Sequence, residues 1–358
     1  MEIIANAEHQ LHDPPFEILD GVLTPYYESP RRVQSILSAI DRASLPVPRA
    51  PRRFGLGPIL GVHAEDYVTY LQQAHARWVI SGRPAESVFP SAMAPQGIAG
   101  PSSSPSALAG RYCFDLSAPI TSGTYAAARG SVDTALTGAS LLLEGARAAY
   151  VICRPPGHHA TRNQAGGYCY FNNAAIAAHM LAHAGEASTA ADEPTTTWGM
   201  RPPVVAVLDI DVHHGNGTQA IFYERSDVFV VSLHGDPDRE YPYFSGFADE
   251  RGAGTGTGYN LNLPLAAGTD DAGYLAALDQ ALSAIAAYSP HYLVVSAGFD
   301  TYIDDPLGDL AVTTGGFARI GAHIAGLKLP TLFVQEGGYA IEQLGINVVS
   351  LLQGFMNA

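Results

Sequence analysis

Four side chains that could bind a metal or move a proton follow one apolar run in this sequence. Residues 204–208 predict a buried strand, and directly after it come Asp209, Asp211, His213 and His214, before a glycine-rich turn. Burying carboxylates and imidazoles is costly unless a partner offsets their desolvation, and a metal ion does so directly. Asp211 and His213 are two residues apart, so they project to the same side of an extended chain. The pair supplies half of a tetrahedral zinc site; the alternative is an Asp–His hydrogen-bonded pair in a polar turn.

The elements that must position these side chains are short apolar runs, each followed by polar residues. Five stand out, at residues 149–153, 204–208, 228–233, 292–297 and 331–334. Such runs, alternating with amphipathic stretches, indicate an α/β protein whose parallel sheet is covered by helices on both faces. In these sheets, sites form at the carboxyl ends of the strands. Asp300 follows the fourth run and is the expected third ligand, which leaves the fourth position open for water, as catalytic zinc requires.

Several motifs closely resemble those of the histone deacetylase superfamily, in the same order along nearly the whole chain. They are Arg-Pro-Pro-Gly-His-His at 154–159, Gly-Gly-Tyr-Cys-Tyr-Phe-Asn-Asn at 166–173, Asp-Ile-Asp-Val-His-His-Gly-Asn-Gly-Thr at 209–218, Ala-Gly-Phe-Asp at 297–300, Asp-Pro-Leu-Gly at 305–308 and Glu-Gly-Gly-Tyr at 336–339. Residues 80–123 and 232–237 are most similar to bacterial acetylpolyamine amidohydrolases. The resemblance implies the arginase/deacetylase fold, a single-domain three-layer α/β/α structure with a central, mainly parallel sheet.

The resemblance also implies a metal-dependent amide hydrolysis. One Zn²⁺ per chain, or Fe²⁺ in the cell, would be held by Asp211, His213 and Asp300, and would polarise an amide carbonyl and activate water. A group that moves protons is needed beside that water, and the tandem His158 and His159 fits. The alternatives for the tandem are a surface position or another pair of metal ligands.

Roles for the histidines and their partners follow from the same resemblance. His159 is expected to be the general base and His158 its more deeply buried partner. Asp209 would orient His158, and Asn216 would orient His159. Tyr339, which follows two glycines, would donate its hydroxyl to the oxyanion.

The resemblance further implies a narrow substrate channel and a second, structural ion. Gly167 and Tyr168 would form one wall of the channel, Tyr241 the opposite wall and Leu307 the floor. Two facing aromatic rings suit a slender alkyl chain, with a cation–π contact if the chain bears an amine. A structural K⁺ or Na⁺ is expected at Asp209, Asp211, His213, Ser232 and Leu233.

Composition favours one enzyme domain over a nucleic-acid-binding or membrane protein. The motif residues need one sheet, so residues 1–358 are predicted to form a single catalytic domain. The net charge of −15 argues against a nucleic-acid partner and allows a cationic substrate. Three cysteines without metal-ligand spacing favour a reducing compartment. Because neither a signal peptide nor a membrane-spanning apolar stretch is recognisable, a cytoplasmic protein without membrane partners is expected.

Two irregular segments interrupt the predicted elements. Residues 82–110 are rich in Pro, Ser and Ala, and the resemblance implies that this long loop narrows the site and makes a homo-oligomer, a dimer or a dimer of dimers. A disordered surface loop is the alternative. Residues 185–203 are interpreted as an insertion between a helix and a strand, without residues that suggest chemistry.

The predicted substrate is a small acylated amine of the acetylpolyamine kind, but the channel mouth departs from that branch. Ser117 stands where a glutamate is expected to meet a distal ammonium, and Leu19 stands where an aromatic is expected. Asp115, Glu17 and Asp20 are candidate substitutes for the missing carboxylate. The departures keep another small neutral or xenobiotic amide, or the acetyl-lysine of a protein, as alternative substrates.

Two further function classes are weighed against the zinc amidohydrolase. A ureohydrolase on the same fold would use two manganese ions and needs additional Asp and His ligands, where this sequence has apolar or glycine residues. A silent protein that only binds an acetylated ligand would not need the three metal ligands, both histidines and the tyrosine together.

Overall fold

A parallel sheet of seven strands lies at the centre of the molecule. The computed structural model describes residues 1–94, 100, 102–184 and 204–358. The strands in chain order are β1 (Glu2–Ala5), β2 (Phe16–Leu19), β3 (Val22–Pro25), β4 (Ala148–Ile152), β5 (Val205–Asp209), β6 (Val228–Gly235), β7 (Asn260–Leu265), β8 (Tyr292–Ala297) and β9 (Thr331–Gln335). The sheet order is β1-β4-β9-β8-β5-β6-β7 with every pair parallel, while β2 and β3 form an antiparallel hairpin.

Helices cover both faces of this sheet. In chain order they are α1 (Arg31–Arg42), α2 (Gly57–Leu60), α3 (Glu65–Ile80), α4 (Pro105–Tyr112), α5 (Thr124–Leu143), α6 (Asn173–Ala182), α7 (Asn216–Phe222), α8 (Asp271–Tyr288), α9 (Thr314–Ala325) and α10 (Ile341–Asn357). Neighbouring side chains of a strand point to opposite faces. Val205 and Val207 belong to one apolar cluster with α5 and α6, whereas Ala206 and Leu208 belong to another with α8, α9 and α10. The predicted three-layer α/β/α fold is confirmed.

The five predicted apolar runs correspond to β4, β5, β6, β8 and β9, because a strand buried on both faces is apolar at successive positions. The edge strands β1 and β7 were not predicted. β1 is only four residues long, and β7 is buried at alternate positions in its first half. In register, Asp209 at the end of β5 pairs with Ser232 on β6 and Ser296 on β8. β5 and β8 therefore end within one residue of each other, whereas β6 continues for three more residues to Gly235.

The two irregular segments are described only in part. Residues 82–110 are not irregular throughout, because α4 begins at Pro105. The hydroxyl of Ser104 caps this helix by accepting a hydrogen bond from Ala107 N–H. Residues 95–99 and 101, and the whole predicted insertion 185–203, lie outside the described residues. Among the described helices, none combines the length and apolarity needed to cross a bilayer.

Candidate active site and metal centre

Asp211, His213 and Asp300 come together at the carboxyl ends of β5 and β8. One ligand atom from each lies within 4.8 Å of the others. His213 Nδ1 lies 3.1 Å from Asp211 Oδ1 and 3.5 Å from Asp300 Oδ2. The remaining carboxylate oxygens are fixed by backbone amides, since Val212 N–H donates to Asp300 Oδ1 and Gly337 N–H donates to Asp211 Oδ2. The three side chains are therefore held with one donor atom each toward a common point.

The residues of this cluster fit a divalent cation. Asp300 Oδ2 is buried and accepts no hydrogen bond. Burial and the negative charge of Asp211 raise the pKa of Asp300. A bound cation would relieve the repulsion between these two carboxylates. Space for the two carboxylates depends on glycine: a Cβ at Gly298 would lie 2.1 Å from Asp211 Oδ2, and one at Gly337 would lie 1.8 Å from Asp300 Oδ2. Two oxygen ligands and one nitrogen ligand match the three protein ligands of a catalytic zinc site.

The tandem histidines lie beside this cluster with their rings 4.0 Å apart. His158 Nδ1 donates to Asp209 Oδ2 at 3.0 Å, and His159 Nδ1 donates to Asn216 Oδ1 at 2.7 Å. Burial disfavours charge on His158, but the carboxylates of Asp211 and Asp209 outweigh it and raise its pKa to about 10. Burial is the main cause that holds the pKa of His159 well below its usual value. The two neighbouring imidazoles therefore differ in pKa, and His159 is the one that favours the neutral form.

The loop that carries these histidines is anchored by a residue to which the sequence analysis gave no role. Glu336 Oε2 accepts hydrogen bonds from Gly157 N–H at 2.6 Å and His158 N–H at 3.2 Å. Burial raises the pKa of Glu336 to about 8. Its position at the end of β9, inside the Glu-Gly-Gly-Tyr motif, was the available signal.

Tyr339 is held in place by contacts of its backbone and of its ring. Asp305 Oδ2 accepts from Tyr339 N–H at 2.6 Å and Ala340 N–H at 2.9 Å, and Asp305 Oδ1 accepts from Leu307 N–H at 3.1 Å. The Arg32 guanidinium lies 5.0 Å from the centre of the Tyr339 ring. Burial raises the pKa of Tyr339, so its hydroxyl remains a hydrogen-bond donor. Asp305 therefore fixes the tyrosine and the predicted channel floor together.

A cavity of about 600 Å³ joins these groups. It is lined by all four residues predicted for the channel and by three of the predicted chemical groups: Gly167, Tyr168, Tyr241, Leu307, His159, His213 and Tyr339. The Tyr168 and Tyr339 ring centres are 5.5 Å apart, and the Tyr241 ring stands edge-on to His159 at 4.9 Å. Aromatic rings thus bound the space next to the metal ligands.

The residues predicted for a monovalent cation share Asp211 and His213 with the metal cluster and add Asp209, Ser232 and Leu233. Ser232 and Leu233 are buried on β6, with Ser232 Oγ 2.8 Å from His234 Nδ1. Asp209 ends the neighbouring β5 and pairs in register with Ser232, and Asp211 and His213 follow β5 in the chain. His214 points elsewhere: its ring nitrogens contact Ser245 Oγ at 3.0 Å and Gln219 Oε1 at 3.1 Å, the geometry of a hydrogen-bonded core histidine.

The candidate substitutes for the missing mouth carboxylate occupy different places. Asp115 is tied to the channel walls by hydrogen bonds from Gly167 N–H and the Tyr241 hydroxyl. Glu17 is buried, and burial raises its pKa to about 7, although hydrogen bonds from Tyr27 and Tyr168 act to lower the pKa.

Four carboxylates line the cavity, two of which had no role in the sequence analysis. The four are Asp20, Asp115, Glu240 and Asp309. No Lys or Arg is among the described residues that line it. Glu240 and Asp309 come from separate segments of the chain, and the negative charge of Asp309, added to burial, raises the pKa of Glu240. The described lining therefore offers several carboxylates, and no Lys or Arg, to a bound molecule.

Comparisons with known proteins agree with this geometry. The histone deacetylase domain model matches residues 26–355. The chain is 45% identical to acetylpolyamine amidohydrolase 2 of Pseudomonas aeruginosa over 99% of this chain and 98% of that protein. It is 32% identical to histone deacetylase 8 of Arabidopsis thaliana over 96% of this chain and 82% of that protein. The structure of acetylpolyamine aminohydrolase from Burkholderia pseudomallei aligns with a TM-score of 0.88 and 40% identity, covering 99% of this chain and 98% of that one.

Proposed function

This chain belongs to the histone deacetylase family, and from that premise we propose that it is a zinc-dependent amidohydrolase that removes acyl groups from small amines. Membership of this family supports a hydrolase of the deacetylase type. The identity of the metal, the roles of the residues and the substrate are what we propose. One observation carries it: His213, which clusters with the buried Asp211 and Asp300, lines the same cavity as His159 and Tyr339. When bound, Zn²⁺, or Fe²⁺ in the cell, would polarise the amide carbonyl and lower the pKa of a water molecule.

His159 is the general base of the proposed reaction. Its Nδ1 proton is engaged by Asn216, so Nε2 carries the free lone pair that accepts a proton from the attacking water. The low pKa of His159 keeps it neutral before the reaction. After proton transfer, the same imidazole returns the proton to the nitrogen of the leaving amine. His158, held by Asp209, packs beside His159 with the two ring centres 4.0 Å apart.

Tyr339 stabilises the negative charge that develops on the amide oxygen. Its hydroxyl remains protonated, and Asp305 fixes its backbone. Gly167 and Tyr168 on one side, and Tyr241 on the other, confine the substrate to an extended path. The Gly167 carbonyl would accept the N–H of the amide.

Replacing Tyr339 with phenylalanine is expected to lower kcat by about a hundredfold, because one oxyanion donor is lost while the ring remains. Metal content should stay at the wild-type level. Steady-state kinetics on an acetylated diamine measure the effect. Tyr243→Phe is the matched control, since Tyr243 lines the same cavity but is half-exposed and has no proposed part in the chemistry. A Tyr339→Phe enzyme with nearly full kcat would refute the assignment.

We propose an acylated polyamine as the substrate class. The relatives in Pseudomonas and Burkholderia are named for acetylpolyamines, and the cavity is lined by aromatic rings and carboxylates, with no Lys or Arg among the described lining residues. Ser117 and Leu19, which also line the cavity, favour the second candidate, a small neutral or xenobiotic amide. The ureohydrolase is disfavoured because it needs ligands for two metal ions. Among the described residues, Asp211, His213 and Asp300 form the single group of three or more candidate metal ligands.

The substrate proposal predicts a preference for charge. We expect kcat/KM for N-acetylputrescine to exceed that for uncharged N-pentylacetamide by about tenfold, which corresponds to about 1.4 kcal/mol. Cavity carboxylates attract the ammonium, and the advantage should shrink as ionic strength rises. Equal values would mean that no carboxylate detects the ammonium and that the enzyme hydrolyses small amides broadly. Higher kcat/KM on an acetyl-lysine peptide would favour a protein deacetylase.

The proposal includes one catalytic domain over residues 1–358, acting in the cytoplasm as a homo-oligomer, a dimer or a dimer of dimers. The segment 82–110 is proposed to lie in the contact between copies. Met93 of this segment lines the cavity, so the segment reaches the channel mouth. A contact there would narrow the entrance and exclude bulky proteins. Light scattering of the purified chain, with and without a shortened 82–110 segment, tests this part.

A further inference from the structure

Asp115 lies between the two walls of the substrate cavity and contacts both. Its Oδ2 accepts a hydrogen bond from Gly167 N–H at 2.7 Å and another from the Tyr241 hydroxyl at 2.6 Å. Its Oδ1 accepts from Ser117 N–H at 3.1 Å. One carboxylate oxygen therefore joins the Gly167–Tyr168 wall to the Tyr241 wall, and both oxygens are occupied by protein donors.

The Gly167–Tyr168 wall has a backbone that needs such a restraint. Gly167 has φ +52° and Tyr168 has φ +67°, so two successive residues are left-handed. A bulky residue in this region is strained and remains there only when its surroundings hold it. The hydrogen bond from Gly167 N–H to the partly buried Asp115 restrains the first residue of this left-handed pair.

Space between this wall and the proposed base is also tight. A Cβ on Gly167 would lie 2.3 Å from the Cδ2 atom of His159 and 3.0 Å from the Tyr241 hydroxyl oxygen. A shift of the Gly167 peptide therefore changes its position relative to His159, and a shift of the Tyr241 ring changes the width of the channel. Asp115 opposes both movements through the same oxygen.

We propose that Asp115 is a positioning residue that sets the channel width and the place of the Gly167 carbonyl, and thereby makes the enzyme selective for unbranched amines. This inference rests on the proposed amidohydrolase function. In this role Asp115 acts through Gly167 and Tyr241, because its carboxylate accepts hydrogen bonds from both walls and from Ser117 N–H.

Two uncharged isomers test the proposal without interference from the charge of Asp115: linear N-pentylacetamide and branched N-neopentylacetamide. In Asp115→Ala, kcat/KM for the linear amide should fall by about tenfold, mainly in kcat, since small displacements of a positioning group are costly to the rate. The branched amide should lose less, so the linear-to-branched ratio narrows. Tyr241→Phe, which removes only a hydroxyl, should narrow the ratio in the same direction. The double variant should narrow it no further than Asp115→Ala, because both changes break the same connection.

Asp13→Asn is the matched control, since Asp13 is an exposed carboxylate that does not line the cavity. It should leave the ratio unchanged. Equal proportional losses on both isomers in Asp115→Ala, or an unchanged ratio in Tyr241→Phe, would overturn the selectivity role. Should Asp115→Ala fail to fold, the Tyr241→Phe ratio alone decides.

Crystal structures of the same variants test the positioning independently of turnover. The Tyr241 ring in both variants, and the Gly167 peptide in Asp115→Ala, should move from their wild-type positions; unchanged positions would overturn the inference. A wild-type enzyme that hydrolyses no acylamine would instead refute the proposed function, and the variant structures would still decide whether Asp115 holds the walls.

Discussion

Replacing Asp300 with alanine is expected to remove both the metal ion and turnover. The variant keeps only Asp211 and His213 of the proposed ligands, and two protein ligands are too few for a catalytic zinc site. It also leaves Val212 N–H without its acceptor. Elemental analysis of the dialysed protein, with kcat measured on the same sample, tests both effects.

A nearby carboxylate provides the control for this variant. Asp309→Ala removes a cavity-lining carboxylate outside the metal cluster, so it should retain the ion. An Asp300→Ala protein that binds metal with wild-type affinity would contradict the proposed ligand set. The wild-type chain should hold one transition ion; two tightly bound ions would favour the ureohydrolase instead.

Replacing His159 with alanine should lower kcat by about a thousandfold or more while the ion is retained. The proposed general base is lost, and no other described histidine combines a low pKa with a place in the cavity beside Tyr339. The three proposed metal ligands are untouched. The measurements are single-turnover rates together with metal content.

Asn216→Ala is the graded companion to this variant. It keeps the imidazole of His159 and removes only the acceptor that orients Nδ1, so its loss of kcat should be smaller, about tenfold to a hundredfold. A His159→Ala enzyme that retains a tenth of the wild-type kcat would contradict the base assignment. Loss of metal in that variant would instead place His159 among the ligands.

Much of the fold was predictable because buried strands have a recognisable pattern of apolar residues in the sequence. The central strands, such as β5 and β8, are buried on both faces and are apolar at successive positions. Edge strands are only partly buried, so their apolar pattern is weaker, and β1 and β7 were therefore missed. Asp300 could be placed beside Asp211 and His213 because the carboxyl ends of parallel strands share one edge of a sheet.

The sequence by itself predicted the five central strands of the sheet, the polar side chains that follow them, and the family to which the chain belongs. Only the tertiary structure decided which of its polar groups are engaged. Asp115, a candidate for a substrate ammonium, instead accepts hydrogen bonds from Gly167 and Tyr241, the latter 126 positions away in sequence. Glu240 and Asp309 were shown to share one cavity wall only when the chain was folded. The reason is physical: local pattern records burial and backbone preference, whereas a hydrogen-bond partner distant in sequence is selected by the packing of the whole chain.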